Sequence, residues 1–285
     1  MSDNDLDALR DWIGRTESAT DTVTAWPVAA LAATLDRREA PPRTGDELPP
    51  CWHWLYFLEA KPLSELGPDG HPKRGGFLPP VPLPRRMWAG GRLEFLRPLH
   101  IGDELRRDST ILSVEPKRGR SGSLVFVTVE HRVSADGRLA VREEHDIVYR
   151  EAARPGDAPP ESAAGAPHPA WHRTLSGDPV TLFRYSALTF NGHRIHYDLD
   201  YARHEEHYAG LVVHGPLQTT LMLDLCRRHA PRRVSKLDYR ARQPLFHGEA
   251  FSVNGNPHAG GATAELWTAN ASGQITMSGM ASFAD

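Results

Sequence analysis

Two neighbouring segments of the chain contain residues whose types and spacing suit acid–base chemistry. The first, Phe183 to Asp198, begins as an apolar run and ends in a polar turn rich in histidine. Histidine can accept and donate a proton near neutral pH. The second, residues 210–218, passes from an apolar run into His-Gly-Pro and then into a helical pattern. Pro216 suits a first helical turn, where free N–H groups attract negative charge. The segments therefore offer a candidate base and, close by, a candidate site for an anionic group.

The same region holds a group of histidines that invites interpretation as a metal site, namely His193, His196, His204, His207 and His214. A catalytic zinc site usually has three ligands at set spacing, such as HExxH with a third ligand. The sequences HRIH and HEEH do not have that pattern, so no metal is predicted. A nucleophilic mechanism is weaker still, because neither Ser186 nor Cys226 lies in a nucleophile elbow.

The composition excludes several classes of protein. Hydrophobic residues make up 40% and charged residues 24% of the 285 residues, as in an ordinary globular protein. A net charge of -3 gives no reason to expect a nucleic-acid partner. No apolar run approaches the roughly 20 residues that span a bilayer, and the acidic start, Met1 to Asp7, is unlike a signal peptide. The two cysteines match no disulfide or zinc spacing, so a cytoplasmic protein without a membrane partner is expected.

The first 150 residues are expected to form one unit. Hydrophobic spacing predicts helices at 5–17 and from Thr24 to Leu35, followed by a buried aromatic segment at 51–58. Residues 61–84 are rich in proline and glycine, which indicates a long loop that is functional or mobile. Four strands are then predicted, at Met87–Leu96, Glu104–Glu115, Ser123–Val133 and Arg138–Tyr149.

A linker is predicted at 151–170, which contains alanine, proline and small polar residues but no large apolar side chain. It would separate an N-terminal unit, 1–150, from a C-terminal unit, 171–285. The C-terminal unit is predicted to contain a strand at Pro179–Arg184, a short helix at 198–208, a buried helix at Pro216–Arg228 and strands near 234–242, 247–254, 261–270 and 273–283.

The two units match each other at two places. Arg97–Leu105 aligns with Gln243–Phe251, where Pro, Leu and Gly recur at identical spacing, and 136–141 aligns with 272–277 around a turn glycine. Two matches in the same order, each at a strand–turn junction, indicate a duplicated unit. Each unit then combines helix with antiparallel strands, and two such sheets joined edge to edge would form one continuous sheet.

This pattern resembles the MaoC-like hydratase and dehydratase family in its double-hotdog form. That family carries a Gly-Asp-x-Asn-Pro-x-His motif followed by an Ala-His-Gly-Met-type helix start. Here FNGHRIH at 190–196 takes the first place and VHGPL at 213–217 the second. The sequence at 187–198 is similar to that of a subgroup that contains type 2 hydroxyacyl-thioester dehydratases and mesaconyl- and itaconyl-CoA hydratases. The match is specific over 183–225 and rests mainly on the repeat in the N-terminal half.

The resemblance implies an α+β double hotdog, with two tandem units that each wrap an antiparallel sheet around a long helix. It implies a hydro-lyase that adds water to, or removes it from, an enoyl thioester, with itaconyl-CoA or mesaconyl-CoA as favoured C5 dicarboxylic substrates. The thioester would be carried by CoA or by acyl carrier protein, with no bound cofactor, and the protein would be a homodimer. The N-terminal unit lacks the His motif and would be catalytically degenerate.

The resemblance also assigns roles to residues of this chain. Asn191 stands where the general family has Asp, and an amide cannot act as a base near neutral pH. Proton transfer would therefore rest on His196, while Asn191 orients water or substrate and the Gly215 N–H stabilises the enolate-like oxygen. Substrate-binding roles are predicted for the remaining motif residues, His193, Arg194, Val213 and His214.

Alternative interpretations remain open. Without the family match, His196 is more simply explained as a capping or packing histidine at a turn. A hotdog thioesterase would use the same cleft, and the Asn in place of Asp also suits a non-catalytic acyl-thioester binding module. Basic residues such as Arg85 and Arg86 could contact CoA phosphates, although a solvated face is their more ordinary explanation.

Overall fold

Ten antiparallel strands form one continuous sheet in the computed structural model, which describes residues 8–119, 122–152 and 166–284. The strands of the first half are β1 (Thr16–Thr22), β2 (Arg85–Phe95), β3 (Glu104–Gly119), β4 (Gly122–Ala135) and β5 (Arg138–Arg150). Those of the second half are β6 (Trp171–Ser176), β7 (Val234–Ala241), β8 (Ala250–Pro257), β9 (Thr263–Ala269) and β10 (Ile275–Phe283). The strands predicted before residue 150 and after residue 230 are thereby confirmed.

The order of the strands shows the duplication directly. It reads β1-β3-β4-β5-β2-β7-β10-β9-β8-β6, so the second half repeats the first in reverse, and β2 pairs with β7 at the centre. The aligned turn glycines adopt the same left-handed conformation, with φ of 103° at Gly102 and 92° at Gly248. The second pair agrees as well, with φ of 70° at Gly137 and 76° at Gly273. The prediction of an α+β fold with two sheets joined edge to edge is confirmed.

Four α-helices pack against the sheet or against one another: α1 (Ala25–Thr34), α2 (Pro179–Leu188), α3 (Leu199–His204) and α4 (Gly215–His229). Every residue from Leu217 to Cys226 in α4 is buried, which explains the apolar stripe in the sequence. Short 3-10 helices lie at Leu9–Trp12, Trp52–Leu55, Leu63–Glu65 and Arg194–His196. Within the described ranges, none of the helices has the length and apolar character that crossing a bilayer requires.

Two local predictions were wrong. The helix expected at 5–17 is a single 3-10 turn, Leu9–Trp12, followed by β1, because the strand pairs along its length with β3. The strand expected at Pro179–Arg184 is instead the start of α2. Its start signal lies one residue earlier, where the Asp178 side chain accepts a hydrogen bond from the N–H of Thr181 at 3.0 Å. An acidic cap followed by proline marks a helix start.

The two halves differ in their helices, which corrects the prediction that both units contain a long helix. Helix α1 begins three positions after Thr22, the last residue of β1, and α2 begins three positions after Ser176, the last residue of β6. Helix α1 therefore corresponds to α2. In the described chain, no α-helix between α1 and β2 corresponds to α4, since residues 61–84 are too rich in proline and glycine to form one. The predicted linker, 151–170, lies largely outside the described residues.

Both halves contribute to the main hydrophobic core. Trp52 and Leu93 come from the first half, and Leu182, Leu217 and Leu237 come from the second. All five side chains are fully buried. The core therefore fixes α4 against the central strands, and this contact positions the N-terminal end of α4 at the junction of the halves.

A buried ion cluster anchors the other end of α4. Asp224 is 1% exposed and accepts hydrogen bonds from Arg228 at 2.8 Å, from Arg173 of β6 at 3.1 Å and from Arg37, which follows α1. Removing one partner of such a cluster leaves buried charge uncompensated. The cluster therefore ties α4 to both halves of the protein.

Asp224→Ala is expected to lower the free energy of unfolding by about 3–5 kcal/mol, because three guanidinium groups lose their shared carboxylate. Urea unfolding followed by circular dichroism measures the change. Glu115→Ala is the matched control, since the Glu115–Lys117 pair has exposed side chains. It should change the free energy by no more than about 1 kcal/mol. Equal midpoints for the two variants would contradict the structural role of Asp224.

Candidate active site

A cavity of about 1520 Å³ is lined by residues from both halves of the protein. From the C-terminal half, the predicted site residues on its wall are Asn191, His193, His196, Val213 and Gly215. From the N-terminal half, polar and aromatic wall residues include His71, Arg86, Trp88, His131, His145 and Tyr149. The structure thus gathers five of the seven predicted site residues around one space.

His196 is held in the form that can accept a proton. Its side chain is 7% exposed, and Nδ1 lies 2.7 Å from the carbonyl oxygen of Val212. Because a carbonyl only accepts, Nδ1 carries the hydrogen and Nε2 keeps its lone pair. Burial, together with the nearby His214 and His193 rings, holds the pKa of His196 well below its ordinary value. His196 is therefore a neutral imidazole at the cavity wall.

His214 supports His196 from behind and does not line the cavity. The two rings stack with centroids 3.7 Å apart and planes inclined by 19°. His214 is fully buried, and its Nε2 lies 2.8 Å from the hydroxyl oxygen of Ser186 in α2. Burial, followed by the effect of His193, lowers the pKa of His214 to about 3. Its position suits orientation of the His196 ring, and the substrate-binding role expected from the sequence stays a prediction.

Asn191 presents its amide nitrogen as the free polar group. Its side-chain oxygen accepts a hydrogen bond from the backbone N–H of His193 at 3.0 Å. The backbone N–H of Asn191 donates to the carbonyl oxygen of Ser186 at 2.8 Å. With the oxygen engaged, the NH₂ group is left to act as a donor. The preceding Phe190 has φ of 49°, a conformation that turns the chain sharply after α2. Residues 191–196, which contain the predicted catalytic residues Asn191 and His196, are called the catalytic loop below.

His193 takes part in a buried polar chain. Its Nε2 lies 3.5 Å from a carboxylate oxygen of Glu206, which also accepts a hydrogen bond from Arg85 Nε at 3.1 Å. Burial alone would raise the pKa of Glu206, but His193 and Arg85 outweigh it and the pKa is lowered. Arg85 is therefore committed to an internal ion pair and does not form the solvated face considered from the sequence.

Gly215 is the first residue of α4 and lies on the cavity wall. The N–H of a first helical residue has no partner within the helix, so it can donate to a ligand. A Cβ at Gly215 would lie 3.7 Å from Met277 Cε and 3.9 Å from Trp88 Cβ, which is ordinary contact. Glycine is thus required at this position neither by sterics nor by a left-handed φ. The absence of a side chain leaves the N–H of Gly215 open to a ligand.

Comparison with known proteins decides the family. The sequence profile described as hydroxyacyl-thioester dehydratase type 2 matches residues 51–247. The chain is 48% identical over 247 residues to the mesaconyl-C(4)-CoA hydratase of Chloroflexus aurantiacus, covering 87% of this chain and 88% of that protein. The chain belongs to the hydroxyacyl-thioester dehydratase type 2 family. Membership confirms the predicted enzyme class, a hydro-lyase that acts on an acyl thioester.

Solved structures confirm the fold of this family member. HtdX of Mycobacterium tuberculosis superposes with a TM-score of 0.66 at 16% identity, covering 95% of this chain and all (100%) of that one. A second Mycobacterium tuberculosis protein, described as having a double hotdog fold, superposes with a TM-score of 0.59 at 16% identity over 98% of this chain and 97% of that one. The double-hotdog prediction is confirmed.

Arg194 of the family motif is not among the residues that line the cavity. It pairs with Asp198 at 2.8 Å and donates to the carbonyl of Pro68 at 3.1 Å. Its backbone N–H also donates to the carbonyl of Asp69 at 2.9 Å. Arg194 therefore attaches the catalytic loop to the 61–84 loop of the N-terminal half, and its predicted role in substrate binding stays a prediction.

Gly70 lies where these two loops come close together. Its φ is 87°, and a Cβ added there would lie 2.0 Å from the carbonyl oxygen of Gly192. That oxygen belongs to the backbone of the catalytic loop, one residue after Asn191. The 61–84 loop, which the sequence predicted to be functional or mobile, therefore packs directly against the backbone of the catalytic loop.

Gly70→Ala is expected to lower kcat by about tenfold, because the catalytic loop must shift to relieve the contact and small displacements of reacting groups are costly. Gly75→Ala is the matched control in the same loop. It has φ of 92°, so the backbone strain is similar, but its nearest neighbour is Pro80 Cβ at an ordinary 3.7 Å. Gly75→Ala should cost stability without slowing turnover. Equal kcat for the two variants would contradict the proposed support.

One group of side chains on the described residues could hold a metal ion. Asp69, His71 and His193 each offer a ligand atom, and these atoms lie within 4.8 Å of one another. Asp69 already accepts hydrogen bonds from the N–H and the ring of His71, both at 3.1 Å. Burial would raise the pKa of Asp69, but His71 outweighs it and the pKa is lowered. The prediction that no metal is used stays a prediction.

Sequence reasoning missed the contribution of the N-terminal half. His145 packs against Trp88 with ring centroids 4.6 Å apart, and Trp88 lies next to Gly215. The buried Glu143 binds His145 and accepts from Trp54 at 2.8 Å. Burial would raise the pKa of Glu143, but His145 outweighs it and holds the pKa well below its ordinary value. The alternation of apolar residues could identify the buried face of these strands, but it could not show that this face contacts the N-terminal end of α4.

Proposed function

We propose that the protein hydrates the double bond of an α,β-unsaturated acyl-CoA whose acyl group is a C5 dicarboxylic acid, and catalyses the reverse dehydration. The observation that carries the proposal is the shared cavity of His196, Asn191 and Gly215, in which a neutral imidazole, an amide donor and a helix N-terminus meet. Its similarity to a mesaconyl-C(4)-CoA hydratase supports the dicarboxylic acyl group.

The proposed reaction begins when the Nε2 lone pair of His196 accepts a proton from a water molecule. The oxygen of that water bonds to the β-carbon, and the electrons of the double bond move onto the thioester oxygen. Gly215 N–H donates to this enolate-like oxygen, where a preorganised donor is most effective. The Asn191 amide donates to the attacking water or to the thioester oxygen. The enolate then collapses, and the α-carbon takes a proton from the imidazolium of His196.

The low pKa of His196 weakens the imidazole as a base, but it keeps the ring unprotonated and makes the imidazolium a strong acid. Burial keeps the imidazole unprotonated before the reaction, so the base is always available at neutral pH. Once protonated in the same environment, the imidazolium is a strong acid and readily gives its proton to the α-carbon. One residue can therefore serve as base and acid in sequence without a cofactor.

A panel of enoyl-CoAs followed by mass spectrometry tests the proposal. Crotonyl-CoA, mesaconyl-CoA and itaconyl-CoA are incubated with the protein, and the expected result is the gain of one water by a dicarboxylic substrate. Release of free CoA would favour the thioesterase alternative. Binding without any change in mass would favour the non-catalytic module. Either outcome, with no hydrated product across the panel, would overturn the proposed function.

The assembly and the carrier are part of the same proposal. A homodimer in the cytoplasm, acting on CoA or acyl-carrier-protein thioesters, fits the expectation from the sequence. Light scattering coupled to gel filtration measures the mass of the assembly, and cell fractionation measures its location. Parallel assays of one acyl group on CoA and on acyl carrier protein identify the carrier.

A further inference from the structure

Arg86 lies on the wall of the catalytic cavity without a carboxylate partner. Among the residues that the structure describes, no acidic side chain forms an ion pair with it. Its neighbour Arg85 differs, because Glu206 neutralises it at 3.1 Å. Arg86 is half-buried on β2, so its charge is partly removed from water. A partly desolvated guanidinium without a counter-ion is a ready site for an anionic ligand.

A second polar group, the hydroxyl of Tyr149, lies beside Arg86. Tyr149 lies directly opposite Arg86 in the β2–β5 pairing, so both side chains are on the same face of the sheet. Tyr149 lines the cavity and is 0% exposed, and its hydroxyl oxygen makes no hydrogen bond of normal geometry. Leaving a buried hydroxyl unpaired is unfavourable. Burial raises the pKa of Tyr149, and the charge and the N–H groups of the Arg86 guanidinium act against that rise, so the two groups lie close together.

Other charges around this pair are already engaged. Arg74 lies with its guanidinium carbon 5.4 Å from the Tyr149 ring, and it donates to the carbonyl oxygens of Val81 and Pro84 at 2.6 Å each. Its positive charge adds to the field at the site, while its donors are used. Asp69 of the adjoining loop is hydrogen bonded to His71, and the described residues show no ion pair between Asp69 and Arg86.

The pair lies near the catalytic residues. Burial and the charge of Arg86 lower the pKa of His71 to about 3, so Arg86 is close to that ring. The His71 ring is 4.2 Å from the His193 ring, and the His193 ring is 5.5 Å from the His196 ring. The phosphates of CoA are separated from the thioester by the long pantetheine arm. An anion bound so close to His196 therefore belongs to the acyl group rather than to CoA.

We propose that Arg86 and the Tyr149 hydroxyl bind the free carboxylate of a dicarboxylic acyl group. The inference rests on the proposed function and names the group that selects the substrate. When the carboxylate is attached to the β-carbon, holding it fixes the carbon that water attacks. The neutral amide of Asn191 suits this arrangement, because a carboxylate in its place would repel the bound anion.

The test compares two saturated thioesters that cannot be hydrated, 3-carboxybutanoyl-CoA and 3-methylbutanoyl-CoA. They differ only in a carboxylate that is replaced by a methyl group. Calorimetry with the full-length protein should show that Arg86→Gln weakens binding of the first by about ten- to a hundredfold, the usual effect of a lost charge-assisted hydrogen bond. Binding of the second should change by less than about twofold. Arg242→Gln, which changes another arginine of the cavity wall, should leave the ratio of the two affinities unaltered.

Tyr149→Phe separates a binding role from a structural one. It should weaken binding of the carboxylate ligand alone by about two- to tenfold, as expected for a neutral hydrogen bond. Because the hydroxyl makes no hydrogen bond of normal geometry among the described residues, its loss should change the melting temperature little. If Arg86→Gln does not fold, Arg86→Lys keeps the charge but loses the planar fork, and it should still weaken binding of the carboxylate ligand selectively.

Equal weakening of both ligands by Arg86→Gln would assign Arg86 to the CoA portion and overturn the inference, as would no weakening of either. The outcome is independent of catalysis. A wild-type protein that hydrates no enoyl-CoA but shows the selective loss would retain the carboxylate subsite and lose the proposed reaction. One that hydrates mesaconyl-CoA without the selective loss would retain the reaction and lose the subsite.

Discussion

Replacing His196 with alanine is expected to lower kcat by about a hundred- to ten-thousand-fold, the usual range for one acid–base group. His196 is the wall residue whose Nδ1 is fixed by the Val212 carbonyl, so that Nε2 is left free to take the proton. The affinity for substrate should change little, because most of the binding comes from the CoA and acyl portions. Stopped-flow or steady-state hydration of an enoyl-CoA measures both quantities.

His204→Ala is the matched control, since His204 is an exposed histidine at the end of α3 and does not line the cavity. It should retain wild-type turnover, and circular dichroism should show that both variants are folded. Near wild-type turnover in His196→Ala, with the fold intact, would remove the proposed mechanism altogether.

The pH dependence gives an independent check on the same residue. An ordinary histidine titrates near pH 6.5. Because the pKa of His196 is well below that value, it stays neutral as the pH falls from 8 to 6. kcat/KM should therefore stay level over this interval and fall only at lower pH, as the imidazole becomes protonated. A decline centred near pH 6.5 that His196→Ala abolishes would show that His196 is not kept neutral by burial.

The motif around His196 could be found in the sequence because its residues are close together along the chain. Asn191 and His196 belong to one turn, and Gly215 begins the next long helix, so local signals place all three. The duplication was equally visible, since the turns at Gly102 and Gly248 both require a left-handed backbone that glycine adopts without strain.

The opposite wall of the cavity could not be predicted, because it depends on contacts between distant parts of the chain. Trp88 reaches Gly215 only after β2 has paired with β7, and Gly70 reaches Gly192 only when a loop without regular structure folds back. Alternation shows which strand residues share a face, but not what covers it. The proximity of Arg86 and Tyr149 was hidden for the same reason, since the two residues are neighbours through strand pairing alone.

The error at α2 has a local cause. The run from Val180 to Phe183 is apolar and contains β-branched residues, so it resembles a strand. Such a short apolar run cannot be assigned to a strand or a helix from the spacing of its hydrophobic residues alone. Val180 and Phe183 are in fact 64% exposed, while Leu182 is fully buried. In the folded protein the Asp178 cap begins a helix at this place. In the sequence, the apolar run of four residues is a more conspicuous signal than a single capping residue.

Asn191 offers the second informative substitution. Asn191→Ala removes the amide donor and also leaves the His193 N–H without its acceptor. It should lower kcat by about ten- to a hundredfold, less than His196→Ala, because orientation is lost while the proton-transfer group remains. If Asn191→Ala lowered kcat more than His196→Ala does, Asn191 rather than His196 would make the larger contribution to turnover.

Asn191→Asp is expected to change specificity rather than overall activity. The aspartate oxygen can still accept from the His193 N–H, so the loop geometry is retained, but the free amide donor becomes part of a negative charge. On crotonyl-CoA, turnover should be kept or raised, because the carboxylate can act as a base as in the general family. On a C5 dicarboxylic enoyl-CoA, like-charge repulsion of at least about 1 kcal/mol at contact distance should lower kcat/KM by about fivefold or more. Steady-state kinetics on both substrates give the ratio, and an equal effect on the two would place the acyl carboxylate away from Asn191.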